Sequence, residues 1–136
     1  MTDLNDALKI SASGMKAQGT RLRVIAENLA NVDSVAKTPG GDPYRRKVIT
    51  FRNVLDRELG VDLVEPSRVT VDRSPLETRY DPANPAADEK GYVKVPNVNT
   101  LIELADMREA ERSYEANLKV IEASRTMLQR AIDILR

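Results

Sequence analysis

All seven prolines of this 136-residue chain lie between residues 39 and 96. Proline removes a backbone donor and clashes with the preceding helical turn, so it is rare inside helices. The first 38 and the last 40 residues contain no proline, so each end can form a long helix. We therefore predict three parts: an N-terminal helix over 1–34, a strand- and turn-rich middle module over 35–96, and a C-terminal helix over 97–136.

At both ends of the chain, rows of mostly apolar side chains, each with two polar places, recur in alternating steps of four and three residues. This spacing places them on one side of a helix and is typical of helices that pack as a coiled-coil-like pair. We call the two rows the N-terminal seam and the C-terminal seam. The N-terminal seam contains Leu4, Leu8, Ser11, Met15, Gln18, Leu22, Ile25, Leu29 and Val32. The C-terminal seam contains Met107, Ala110, Tyr114, Asn117, Ile121, Ser124, Leu128, Ala131 and Leu135.

The middle module shows shorter alternating runs that are bounded by turn residues. These runs predict strands at 44–51, 61–64, 68–72, 76–80 and 92–95, and "TPGGDP" predicts a tight turn. The C-terminal helix should begin at "TLIE", with Thr100 as the cap and Glu103 as its reciprocal partner. The predicted fold class is α+β, with long N- and C-terminal helices packed as a coiled-coil-like pair and a small strand-rich module between them.

Both helices carry features that a single helix pair does not use. Gly14 and Gly19 each cost a helix interior up to about 1 kcal/mol relative to alanine, which suggests close approach of another backbone. A kinked helix is the alternative explanation. Several apolar residues also fall outside the seams and leave apolar surface for a further contact. They are Ile10, Val24, Leu104, Leu118, Val120, Met127, Ile132 and Ile134.

Composition excludes several classes of function. Twenty-one basic and twenty-one acidic residues cancel, which disfavours a polyanionic partner such as nucleic acid. The chain has no His and no Cys, so the usual metal ligands and triad bases are missing, and we predict no cofactor and no catalysis. A carboxylate-dependent hydrolase stays open, although Asp88 and Glu89 are better explained as a solvated turn. The basic run at 45–47 is predicted to lie on an edge strand rather than to hold a nucleic-acid strand.

The sequence has neither the apolar run of a membrane span nor the charge pattern of a cleaved secretory signal. It has no run of about 18 apolar residues, so we predict no membrane span. Asp3 and Asp6 stand where a cleaved secretory signal would carry positive charge.

Four segments carry a resemblance to a known family. The stretch "SASGMKAQGTRLRVIAENLANVDS" at 11–34 resembles the N-terminal motif of the bacterial flagellar axial proteins, the rod and hook group. The segments at 38–51, 80–99 and 107–128 are similar to members of that family found in the proximal rod. Ser34 departs from the threonine common after the asparagine motif, and 53–76 matches weakly.

The resemblance implies a structural, non-enzymatic subunit of the proximal rod. Members of the family leave the cell through the flagellar type III export apparatus without a cleaved signal. They then assemble helically with copies of themselves and with other rod subunits, and the rod transmits torque across the periplasm. A soluble coiled-coil adaptor and the carboxylate-dependent hydrolase remain as alternatives from the residues themselves.

Asn28 and Asn31 are polar residues near the end of the first helix. They lie three residues apart and share one side of it, about 90 to 130° from the centre of the N-terminal seam. They either cap the helix and face water, or satisfy polar groups at a packed junction with other helices. We predict that subunit packing is carried by Leu8, Gly14, Met15, Leu22, Ile25, Asn28, Leu29, Asn31, Met107, Tyr114, Asn117, Ile121, Leu128 and Leu135.

Overall fold

The computed structural model describes residues 2–57 and 60–136 and confirms the α+β class. In chain order its elements are α1 (Thr2–Ala30), β1 (Lys47–Asp56), β2 (Val61–Val71), β3 (Thr78–Tyr80), β4 (Tyr92–Lys94) and α2 (Thr100–Ile134). The helices contain 29 and 35 residues, which at 1.5 Å per residue gives lengths of about 43 and 52 Å. The long terminal helices predicted from the proline distribution are therefore present.

The chain divides into two compact units, and each unit takes in parts of both helices. The first unit comprises residues 1–22, 49–68 and 107–136. The second unit comprises residues 23–48 and 69–106.

In the first unit the two helices run antiparallel. A Cβ atom built on Gly14 would lie 2.9 Å from Nδ2 of Asn117, and Arg21 forms an ion pair with Glu109 at 3.7 Å. Residue numbers thus rise along α1 as they fall along α2. Strand β2 joins this unit where the amide of Val64 donates to Oγ of Ser13 at 3.2 Å. The fully buried side chains described in this unit are all small: Ser11, Ala17, Ala110 and Ser124.

The second unit has a core with larger side chains. Strands β3 and β4 pair antiparallel, with Thr78 opposite Lys94 and Tyr80 opposite Tyr92. The rings of Tyr80 and Tyr92 meet edge to face with centroids 5.4 Å apart. Buried residues of this unit include Val24, Ile25, Asn28, Ala86, Val93 and Glu103, and Pro43, Gly91 and Pro96 are buried as well.

Two of the predicted strands are one strand in the structure. The sequence "EPS" suggested a turn between 61–64 and 68–72, but β2 runs without interruption from Val61 to Val71 through Pro66. Proline is tolerated because β2 pairs with β1 in a two-stranded sheet, so one edge of β2 needs no ladder hydrogen bonds. Strands β3 and β4 and the turn at Thr38–Gly41 were predicted correctly.

The predicted cap of α2 is wrong by one residue. Oδ1 of Asn99 accepts the amide protons of Leu101 at 3.0 Å and Ile102 at 3.4 Å, so Asn99 caps the helix and Thr100 is its first residue. Glu103 does not act as the reciprocal partner, because its carboxylate is buried and binds other groups.

Candidate functional site

The seams lie on the less exposed sides of their helices, as the spacing predicted. All nine residues of the N-terminal seam are buried or of intermediate exposure, and Ser11 and Ile25 are fully buried. The C-terminal seam behaves in the same way from Met107 to Ala131. Leu135 differs, because it lies beyond the end of α2 and is 80% exposed. Of the predicted packing residues, Leu8, Met15, Leu22, Leu29, Tyr114, Ile121 and Leu128 have intermediate exposure.

Gly14 makes room for a side chain rather than for a backbone. The atoms nearest to a Cβ built there are Nδ2, Cγ and Oδ1 of Asn117, all within 3.1 Å. Nδ2 of Asn117 donates to the carbonyl of Ser113 at 2.9 Å, which holds the amide against the helix. The expectation that another backbone approaches Gly14 is therefore wrong, since a seam amide of α2 fills the space.

Both the oxygen and the nitrogen of the Asn28 side-chain amide form hydrogen bonds within the chain. Its Oδ1 accepts the hydroxyl proton of Tyr44 at 2.7 Å and the amide proton of Lys47 at 2.9 Å. Its Nδ2 donates to the carbonyl of Lys47 at 2.9 Å and to Oε2 of Glu103 at 3.4 Å. The side chain is 1% exposed. Asn28 therefore ties α1 to the start of β1 and to the first turn of α2.

Glu103 is a fully buried carboxylate that is balanced by Arg46. Its Oε1 accepts a hydrogen bond from Nε of Arg46, and its side chain is 1% exposed. The same guanidinium lies 3.5 Å from Asp106 and 3.9 Å from Asp72. A buried charge is tolerated only when it is paired and hydrogen-bonded. We call Asn28, Tyr44, Arg46, Lys47 and Glu103 the Asn28 cluster.

The sequence suggested that the basic run at 45–47 consists of solvated side chains on an edge strand. The structure shows instead that these side chains bind groups within the chain. Arg45 and Arg46 precede β1, and Nη1 of Arg45 donates to the carbonyls of Asp72 at 3.4 Å and Ser74 at 3.1 Å. Nζ of Lys47 pairs with Oε1 of Glu27. All three cations of this run are engaged within the chain.

Asn31 closes α1, in line with the helix-capping alternative. Its Nδ2 donates to the carbonyl of Glu27 at 2.9 Å, and its Oδ1 accepts the hydroxyl proton of Ser34 at 2.9 Å. It does this without a left-handed backbone, because no non-glycine residue in the described ranges has a positive φ. Asn28 and Asn31 therefore have different tasks despite their shared side of the helix.

Two ionisable groups around the cluster have shifted pKa values. Hydrogen bonds from the amide and hydroxyl of Ser74 lower the pKa of Asp72, and Arg46 and Arg45 lower it further by their charge. Burial raises the pKa of the Tyr44 phenol, and the carboxylates of Glu27 and Glu103 add to that effect. The folded chain thus favours a charged Asp72 and a neutral Tyr44.

The Tyr44 shift predicts a loss of stability in strong alkali. A phenol whose folded-state pKa is raised contributes stability that is fully present below its unfolded value of about 10 and is lost as the pH rises through the folded value. We expect the urea midpoint to fall above pH 10, and to fall less steeply in Tyr44→Phe. Urea titrations at a series of pH values, with Tyr80→Phe as the control, measure this. Equal slopes for the two variants would contradict the assignment.

The cluster contains groups that the sequence reasoning missed. The sequence placed Arg46 on an edge strand and Glu103 in a helix cap, and their association spans 57 residues. No local pattern signals such a pairing. No group of three or more His, Cys, Asp or Glu in the described ranges could hold a metal ion. In the same ranges no helix is long and apolar enough to cross a membrane.

The helical ends match models of flagellar rod proteins. Residues 8–36 match the family described as "Flagella basal body rod protein", and residues 89–134 match "Flagellar basal body rod FlgEFG protein C-terminal". The first match covers most of α1 with the asparagine motif, and the second covers β4 and α2. Together with the long terminal helices, these two matches define the class of the chain as a protein of the flagellar basal-body rod.

Curated relatives narrow this class. The flagellar basal-body rod protein FlgC of Agrobacterium fabrum is 53% identical over 136 residues, which is 100% of this chain and 98% of the relative. The FlgC proteins of Borreliella burgdorferi and Bacillus subtilis are 39% and 37% identical, and this chain covers 98% and 95% of their lengths. The chain belongs to the FlgC family of flagellar basal-body rod proteins. The resemblance to flagellar axial proteins seen in the sequence is confirmed.

Proposed function

We propose that this chain is a non-enzymatic structural subunit of the proximal part of the flagellar rod, where it assembles helically with copies of itself and with other rod subunits. The relatives are rod proteins by name, which supports a structural role in the basal body. Export by the flagellar type III apparatus without a cleaved signal, assembly in the periplasm and the transmission of torque belong to the same proposal. Close-packed helices are suited to transmitting torque because packed interiors resist compression and shear.

One observation supports the assembly role most directly. In the first unit the buried side chains described are no larger than alanine or serine, and none of its larger apolar side chains in the described ranges is buried: they have intermediate exposure or are exposed. A helix gains most of its stability from burying an apolar face, so this unit needs cover that the single chain does not provide. The exposed apolar residues of this unit are Ile10, Leu55, Leu118, Val120, Met127, Ile132, Ile134 and Leu135.

The packing residues predicted from the sequence fit this proposal in part. The seam residues up to Ala131 are buried or of intermediate exposure, and the amide of Asn28 is hydrogen-bonded within the chain. Leu135 remains exposed and available to a neighbouring subunit. The exposed apolar residues of the two helical ends, most of which lie outside the seams, are therefore the surface that we assign to subunit packing; Leu55, on β1, is not part of it.

The C-terminal end of the chain gives the sharpest test of this role. Ile134 and Leu135 are 83% and 80% exposed, so Ile134→Ser combined with Leu135→Ser should leave the free energy of unfolding within about 0.5 kcal/mol of the wild type. We expect the same variant to be absent from isolated rods and non-motile in cells that lack their own copy of the protein. Swimming assays and immunoblots of purified basal bodies measure the loss.

The control for this test is Leu55→Ser, which changes a residue that is 57% exposed on β1. It should enter rods normally. Normal rods in the Ile134 and Leu135 double variant would remove the C-terminal end from the assembly surface. Absence of the wild-type chain from basal bodies would instead refute the proposed function itself.

A further inference from the structure

Gly19 is a helix-interior glycine that the chain itself does not explain. A Cβ atom built on it would have no heavy atom within 4 Å outside its neighbours, so this chain leaves the space open. Gly14 differs, because Asn117 fills its space. Glycine in the middle of a helix is unfavourable, so its presence at an open position points to a contact with something outside the chain.

Two basic side chains flank Gly19 on the same face of α1. Lys16 lies three residues before it and Arg23 four residues after it, and at 100° per residue all three share one side. Both cations are exposed, and no ion pair of either is recorded within the described residues. This face therefore offers a shallow hole between two free positive charges.

An exposed face of α2 repeats this spacing with opposite charge. Leu118 is 38% exposed, with Glu115 three residues before it and Glu122 four residues after it. Both carboxylates are exposed, and neither has an ion pair recorded in the described part of the chain. This face therefore offers an apolar knob between two free negative charges.

From this match we propose that α1 of one copy packs against α2 of a second copy, with Leu118 seated over Gly19. The inference rests on the proposed function, and it names the surface and the partner. The side chain of Leu118 suits the open space at Gly19. In each helix the flanking charges stand three residues before and four residues after, and the charges of the two helices are opposite in sign. Both faces lie on the opposite sides of their helices from Gly14 and Asn117, and their charged side chains are exposed.

The direction of the helices determines which charges meet. Within the chain, α1 and α2 are antiparallel, and in an assembly whose copies all point the same way α1 of one copy is also antiparallel to α2 of the next. Around Leu118 and Gly19, the antiparallel arrangement brings Lys16 to Glu122 and Arg23 to Glu115. Each pair forms one ion pair at the rim of the knob.

Charge reversal tests the pairing in cells that lack their own copy of the protein. Lys16→Glu with Arg23→Glu, and separately Glu115→Lys with Glu122→Lys, should each reduce swimming to the non-motile background. The variant that combines all four changes restores both pairs and should regain at least half of the wild-type swimming rate. Lys90→Glu, at an exposed lysine of the loop before β4, is the control and should swim normally. A fourfold variant as immotile as its two parents would overturn the inference.

Cross-linking tests the same contact without depending on motility. The chain has no cysteine, so each single-cysteine variant can be linked only to another chain. Cells that produce Lys16→Cys and Glu122→Cys chains together should yield a mixed dimer with a short bismaleimide reagent, whereas Lys90→Cys with Glu122→Cys should not. Rods that contain both chains but give no mixed dimer, or that link position 16 to a different protein, would overturn the inference and leave the proposed function intact. Only absence of the wild-type chain from rods would refute the proposed function itself.

Discussion

Arg46→Met should destabilise the second unit by about 3–5 kcal/mol, because it leaves the buried carboxylate of Glu103 without its cation. This is a large part of the roughly 5–15 kcal/mol by which a typical domain is stable. Urea unfolding followed by tyrosine fluorescence suits the measurement, since Tyr44, Tyr80 and Tyr92 lie in this unit. Adding Glu103→Gln should recover part of the loss, because the buried charge is then gone.

The matched control for Arg46 is Arg52→Met. Arg52 pairs with Glu65 at 3.9 Å, and both side chains are more than half exposed. Exposed pairs contribute little, so we expect a change below about 1 kcal/mol. Similar losses for the two arginines would mean that burial of Glu103 does not determine the effect of its partner.

The second large effect is expected at Asn28, where Asn28→Leu should cost about 3–5 kcal/mol. Leucine has a similar size but removes the hydrogen-bond partner that Asn28 provides to the hydroxyl of Tyr44 and to both backbone groups of Lys47, which are partly buried. Asn28→Asp keeps the two acceptor contacts, yet it loses the donor and places a second negative charge beside Glu103, so it should also be strongly destabilising.

Asn5→Leu makes the same chemical change at an exposed position of α1, and its stability should stay within about 0.5 kcal/mol of the wild type. The comparison of these two variants separates the loss of buried hydrogen bonds from a change in helix propensity. A wild-type melting temperature for Asn28→Leu would show that the network does not stabilise the folded chain.

The elements of the fold could be read from local patterns. Proline distribution and the steps of four and three residues predicted α1 and α2, and alternation predicted β3 and β4. These signals are local because backbone sterics and helical periodicity act over a few residues. The strand through Pro66 was missed because its tolerance depends on β2 having a partner on one side only.

The candidate site was predicted only in part, and the roles of its residues depended on tertiary structure. The sequence by itself singled out Gly14, Asn28 and Asn31 as unusual residues for a helix. It also indicated that apolar surface outside the seams would remain uncovered by a single helix pair. It placed Glu103 in a cap, where local hydrogen bonding favours it, whereas the folded chain buries this carboxylate against Arg46 and Asn28. Asn28 and Glu103 are 75 residues apart, and a buried polar group must find its partners wherever the fold brings them. Periodicity therefore determined the helices and their inward faces, and long-range burial decided which polar groups meet.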